Sequence, residues 1–161
     1  MNANIVALCQ GVASELNNAP LGVFSESFSA AFEYAPVYSS MDAKTLRVVV
    51  TDAGGELELM SRARLGFTDG VRVVVLWRVD AGSTGLDVDK MGRALLLLEQ
   101  ITKFLVGRKV ADYAQTGAAR RGDGEKEKQH YMPGNLEERV FAAAVVLTYQ
   151  TTESIRTTEG S

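Results

Sequence analysis

The sequence contains few of the residues that cross-link a small domain or bind a metal. Of its 161 residues, one is a cysteine (Cys9) and one is a histidine (His130). A lone cysteine excludes an intramolecular disulfide framework and favours a reducing compartment. Zinc sites need several cysteine, histidine or carboxylate ligands, and no such cluster is visible in the sequence. We therefore expect no bound metal and no cofactor.

Long apolar runs and a basic surplus are also missing. No stretch approaches the ~20 apolar residues that a membrane span needs. The first four residues lack the basic region and apolar core of a signal peptide. The net charge is −3, which disfavours a DNA-binding module, since such modules usually carry excess lysine and arginine. We expect an intracellular protein with no membrane contact.

The patterns that are present predict one α+β domain over residues 1–161, with a polar C-terminal tail at about 152–161. We expect a mixed, mostly antiparallel sheet with two main helices packed on one face. Apolar residues at three- and four-residue spacing predict the helices, and alternating or continuous apolar runs predict the strands. The expected helices are residues 4–16 and 87–107, and the expected strands are residues 46–51, 71–80 and 139–151. Residues 52–55 are typical of a turn, 56–70 of a hairpin arm or long loop, and 116–129 of a charged loop.

No catalytic pattern is present in the sequence. There is no nucleophile elbow, phosphate-binding loop or dinucleotide fingerprint. Cys9 falls on the apolar stripe of the first helix, where a thiol is typically inert. Asp80, Asp87 and Asp89 could serve an uncharacterised small enzyme, but no spacing among them singles out an acid and a base. We expect a protein that is not an enzyme.

Two sets of residues are candidates for a subunit interface. The core face of the second helix is expected to centre on Met91, Leu95 and Leu98, which leaves Leu96 pointing away from the core. Leu97 and Phe104 are expected at the edge of the same exposed side, so the three could form an apolar strip. The second set is Arg62 and Arg64 on the expected hairpin, for which cross-strand pairing with Glu56 and Glu58 is the interpretation we favour.

Four stretches together resemble the tail terminator and tail-completion (neck) proteins of bacteriophages. The shared pattern is an aromatic-proline turn, a "LRVVV" strand, an "SR" loop before a long apolar strand, a helix with an acidic start, and a closing "VFAAAVVLTY" strand. It is a pattern of apolar spacing and a few landmarks rather than a catalytic signature. The stretches that carry it are residues 32–50, 61–79, 86–109 and 137–149.

The resemblance implies a structural protein of the virion neck, assembled in the host cytoplasm. Such proteins form a ring, commonly of six subunits, that completes the tail and joins it to the head connector. The implied partners are copies of this chain, the tail tube protein and the head–tail connector proteins, and DNA passes through the ring without specific binding. Another head–tail connector or minor virion protein is the alternative. In this setting Leu96→Asp is expected to spare the fold and abolish ring formation.

Overall fold

The computed structural model describes residues 3–34, 45–79, 85–121 and 139–154. Two helices and six strands lie in these ranges. The helices are α1 (Asn4–Asn17) and α2 (Val88–Leu105). The strands are β1 (Ser29–Phe32), β2 (Arg47–Ser61), β3 (Arg64–Arg78), β4 (Lys109–Val110), β5 (Tyr113–Arg121) and β6 (Val140–Ser154).

The six strands form one sheet in the order β1-β2-β3-β6-β5-β4. β1 is parallel to β2, and every other neighbouring pair is antiparallel. Both helices share a single buried cluster with one face of this sheet. The α+β class, the mostly antiparallel sheet and the placement of two helices on one face are therefore confirmed.

The central strands are apolar on both faces. Alternate residues such as Val48, Val73 and Val145 pack against the helices. The residues between them are also buried, which explains why these strands read as continuous apolar runs rather than as an alternation. The buried cluster on the face away from the helices consists of Val49, Val74, Leu76, Val140, Ala142 and Ala144.

Side-chain hydrogen bonds fix the end of α1 and the start of α2. The side chain of Asn17, the last residue of α1, exchanges two hydrogen bonds with the backbone of Ala30 in β1, each 2.8 Å long. At the start of α2, Asp87 accepts a hydrogen bond from the Lys90 backbone N–H through its side chain. This N-cap satisfies a backbone donor that the first helical turn leaves unpaired.

Three segments expected to be turn, loop or tail are strand instead. Residues 52–55 form a bulge inside β2 and not a turn, because the register with β3 resumes at Gly55. The loop expected at residues 116–129 starts later, because β5 pairs with β6 up to Arg121; the rest of that segment lies outside the described residues. The tail expected from residue 152 also starts later, because β6 pairs with β3 up to Ser154.

Candidate functional site: the hairpin arm

β2 and β3 continue beyond the buried core as a hairpin arm, which we define as residues 55–69. The arm begins at a bulge where Gly54 has a φ of 90°, a conformation that favours glycine. Asp52 Oδ1 accepts a hydrogen bond of 2.8 Å from the Gly54 backbone N–H. A Cβ on Gly55 would lie 2.7 Å from the Thr68 carbonyl oxygen, so this position requires glycine for close approach of the two strands.

The face of the arm that continues the core face of the sheet is apolar and largely uncovered. The strand register places Leu57 opposite Phe67 and Leu59 opposite Leu65. Leu57 and Leu59 are 61% and 65% exposed on this face. Met60, close to the turn, is 58% exposed, and its sulfur lies beside Gly66 on the opposite face of the arm. Exposed apolar side chains clustered in this way mark surfaces that contact another molecule.

The turn of the arm carries two arginines that are exposed to solvent. Arg62 lies in the turn and Arg64 begins β3. Their expected pairing with Glu56 and Glu58 is wrong, because the register places uncharged residues opposite both glutamates. Neither arginine side chain makes a hydrogen bond or ion pair with any other residue in the described ranges. No carboxylate of the described ranges therefore neutralises either guanidinium group.

The expected apolar strip on α2 does not form, because Leu97 is fully buried. The buried side of the helix consists of Ala94, Leu97, Leu98, Ile101 and Leu105. At about 100° per residue, the centre of this buried side is rotated by roughly 70° from the centre expected at Met91, Leu95 and Leu98. Leu97 consequently packs inside the chain, where it cannot contact a neighbouring subunit.

The other two residues of the expected strip differ in exposure. Leu96 lies on the outer side of α2 and is 46% exposed. Phe104 is half-buried: its ring centroid lies 5.4 Å from that of Phe24, and the guanidinium carbon of Arg108 lies 3.9 Å from the same centroid. The Phe104 ring is thus occupied by contacts within the chain, and Leu96 stands apart from it.

Where β5 begins, the root of the arm opens into a cleft of about 660 Å³. Tyr113, at the start of β5, donates a hydrogen bond of 2.6 Å from its hydroxyl to Asp69 Oδ2. Burial and this hydrogen bond raise the pKa of Tyr113 above its ordinary value. Glu58, Asp112 and Glu153 supply three exposed carboxylates to the lining, and Lys109 supplies one ammonium group. The cleft is therefore net acidic.

Two titratable groups behind the cleft are buried in the core. The Tyr149 side chain is inaccessible to solvent, and its hydroxyl has no hydrogen-bond partner within the described part of the chain. Burial raises its pKa above the ordinary value. Burial also raises the pKa of the Cys9 thiol to about 12, and nearby carboxylates add to the shift. A thiol with so high a pKa carries almost no nucleophilic thiolate near neutral pH.

Neither a metal site nor a membrane span emerges from the described residues. Across these ranges, no three histidine, cysteine, aspartate or glutamate side chains are grouped to hold a metal ion. Asp80 and His130 lie outside the described residues. Neither α1 nor α2 has the length and apolar character needed to cross a membrane.

Comparison with known proteins leaves the family of this chain open. No protein-family model matches it, and no curated protein matches it. The resemblance to phage neck proteins therefore stays an expectation from the sequence pattern.

The exposed leucines of the arm are the functional candidates that the sequence interpretation missed. Their signal is present in the "GELELMS" segment, where apolar and polar residues alternate with the period of a strand. The same alternation recurs at Leu65 and Phe67 in β3. Reading the two glycines at residues 54 and 55 as a turn concealed it, because a turn there would separate this alternation from the strand before it.

Proposed function

We propose that this chain is the subunit of a homo-oligomeric ring at the neck of a long-tailed bacteriophage. The ring, expected to hold six copies, completes the tail and joins it to the head connector. Its partners are the tail tube protein and the connector proteins. The sequence pattern described above supports this assignment, and so does the exposed apolar face of the arm.

The observation that carries the proposal is the exposed apolar face of the arm. Three large apolar side chains, Leu57, Leu59 and Met60, are each more than half exposed on one hairpin. The rest of the sheet buries its apolar residues thoroughly, so this exposure is local rather than general. Specific protein interfaces combine an apolar centre with a polar rim, and the arm offers both through its leucines and arginines.

The proposal includes a duplex that passes through the ring without being held. The chain carries a net charge of −3, whereas affinity for DNA comes mainly from neutralised phosphates. A ring of such subunits is expected to let DNA slide. We expect at most weak, salt-sensitive binding of duplex DNA by the purified protein.

Electron microscopy and light scattering of the purified protein test the proposal. A closed ring with a central channel and a uniform mass that is a multiple of the 17.4 kDa chain is the expected result. Replacing Leu57 and Leu59 together by serine should abolish the ring. Leu96→Ser serves as a matched control: because Leu97 is buried and the strip expected around Leu96 does not form, we replace the expectation that Leu96 closes the ring. A protein that remains monomeric at every concentration and forms no ring with its neighbours would refute the proposal. A labelled ring found at another level of the neck would instead favour a connector or minor virion protein.

A further inference from the structure

The cleft at the root of the arm contains an open strand edge. β5 pairs with β6 only as far as Ala114 opposite Gln150, while β6 continues to Ser154. Beyond Gln150, the β5-side edge of β6 has no strand partner among the described residues. The Thr151 hydroxyl, at the start of this edge, donates a hydrogen bond of 2.6 Å to the Asp112 carbonyl oxygen. Unpaired backbone groups along such an edge are a template for an added strand.

The chemistry around this edge favours a partner that is both basic and apolar. Phe67 and Tyr113 provide aromatic surface in the lining, and Asp112 and Glu153 provide carboxylates. The Glu153 carboxylate accepts a hydrogen bond of 3.2 Å from the Asn4 side chain. A strand with apolar side chains and neighbouring guanidinium groups would complement this lining.

The arm offers apolar side chains on one face and two guanidinium groups at its turn. Its glutamates, Glu56 and Glu58, alternate with the leucines and therefore lie on the opposite face of β2. The outer edge of β2 pairs with β1 only over residues 47–50, so from residue 55 onwards it too has no strand partner among the described residues. Its exposed side chains Leu57 and Leu59 are followed by Arg62 and Arg64, whose guanidinium groups make no ion pair in the described ranges. The chain thus displays both a strand to donate and an acidic, open-edged cleft to receive one.

The arm of one chain cannot dock in the cleft of the same chain. The two open edges lie on opposite sides of β3, since the strand order there is β2-β3-β6. The donor edge of one copy can therefore meet an acceptor edge only in another copy. Contacts between two different surfaces of identical chains are head-to-tail, and they generate rings when the rotation closes.

We propose that the arm of one copy docks in the cleft of the next, adding the outer edge of its β2 to residues 151–154 of β6. Leu57 and Leu59 then cover the aromatic lining, and Arg62 and Arg64 face Asp112 and Glu153. This inference rests on the proposed ring function, because it names the surfaces that would close the ring. It leaves Leu96 outside the interface.

A cysteine pair tests the contact directly. Leu59→Cys with Thr151→Cys should form disulfides between chains on mild oxidation and give a ladder of covalent oligomers. Within one chain the two Cα atoms lie two strands apart, about 10 Å or more, which is beyond the reach of a disulfide. The buried Cys9 does not compete. The matched control, Leu59→Cys with Leu96→Cys, should give no ladder; a ladder only in this control would overturn the proposed docking.

Charge reversal provides a second test that separates the docking from the ring itself. Reversing the arm (Arg62→Glu with Arg64→Glu) or the cleft (Asp112→Arg with Glu153→Arg) should each weaken self-association at least about tenfold, as expected when charges at an interface become repulsive. Mixing the two reversed proteins should restore assembly, because each reversed arm then meets a complementary cleft. All four residues are exposed, so circular dichroism should match that of the wild type.

The outcomes of these tests are distinguishable. If the wild type forms rings and both reversed proteins form them equally well, the docking is wrong and the ring function stands. If the mixture fails to assemble while each reversed protein is folded and monomeric, the pairing of these arginines with these carboxylates is wrong. If the wild type is monomeric at every concentration and the cysteine pair forms no disulfide ladder, both the docking and the proposed ring function are wrong.

Discussion

Tyr149 and Tyr113 lie in the same sheet and differ in one decisive respect, the partner of the hydroxyl group. Both side chains are almost completely buried, at 0% and 3% exposure. The Tyr113 hydroxyl donates to Asp69 at 2.6 Å, while that of Tyr149 has no partner within the described ranges. The same substitution, tyrosine to phenylalanine, should therefore change the free energy of unfolding in opposite directions at the two positions.

The magnitudes follow from the cost of leaving a buried polar group unpaired. Burying a hydroxyl without a partner costs about 1–3 kcal/mol. Tyr149→Phe removes that cost with little change in shape, so we expect an increase in stability of about 1 kcal/mol. For a chain of this length, that corresponds to a rise in Tm of about 2–4 °C. Tyr113→Phe removes a hydrogen bond to a carboxylate, so we expect a loss of about 1.5–3 kcal/mol.

Urea unfolding of the wild type and both variants, followed by circular dichroism, measures these differences. Raising the pH adds a check on Tyr149. Because its folded pKa lies above the ordinary 10.0, stability is present below pH 10 and is lost as the pH rises further. The Tyr149→Phe variant has no phenol to ionise and does not lose this stability. The amount by which its free energy of unfolding exceeds that of the wild type should therefore grow above pH 10. A destabilised Tyr149→Phe variant would show that its hydroxyl has a partner and would refute the reasoning.

Two further predictions concern α2 and α1. Leu97→Ala should lower the free energy of unfolding by about 2–5 kcal/mol because it leaves a cavity at a fully buried site. Leu96→Ala, on the outer side of α2, should change the free energy of unfolding by about 0.5 kcal/mol or less. Equal effects of the two variants in urea unfolding would mean that the assigned buried side of α2 is wrong. Cys9, whose pKa is raised to about 12, should react with iodoacetamide at neutral pH about a hundredfold more slowly in the folded protein than in urea; equal rates would show that the thiol is accessible.

The elements that the sequence predicted well are those whose patterns are strong and local. The stripe that includes Leu8, Val12 and Leu16 identifies α1, and all three residues are buried. The run around Val73 identifies the core of β3 in the same way. Local pattern was sufficient there because each residue's environment is set by its own helix or strand.

The phase of α2 and the arm could not be derived by the same reasoning. Residues 95–98 are four consecutive leucines, so several rotations of the helix give nearly equal apolar stripes, and only the packing against β3 and β6 selects one. The arm depends on a bulge that keeps β2 in register with β3 across two glycines. The cleft depends on Tyr113 and Asp69, which are 44 residues apart in the chain. Contacts between segments that are distant in the chain produce no periodic pattern in the sequence, so the sequence does not predict them.

β3 and β6 are each 15 residues long and belong to two environments at once. One half of each strand is enclosed in the core, and the other half borders or forms the arm. Selection on the enclosed half acts through packing volume, whereas selection on the outer half acts through whatever the arm contacts. Substitutions in the outer half can therefore accumulate in step with a changing partner without altering the core. Among relatives of this chain, sequence divergence should change abruptly within single strands, close to Asp69 and Tyr149, rather than at the ends of strands.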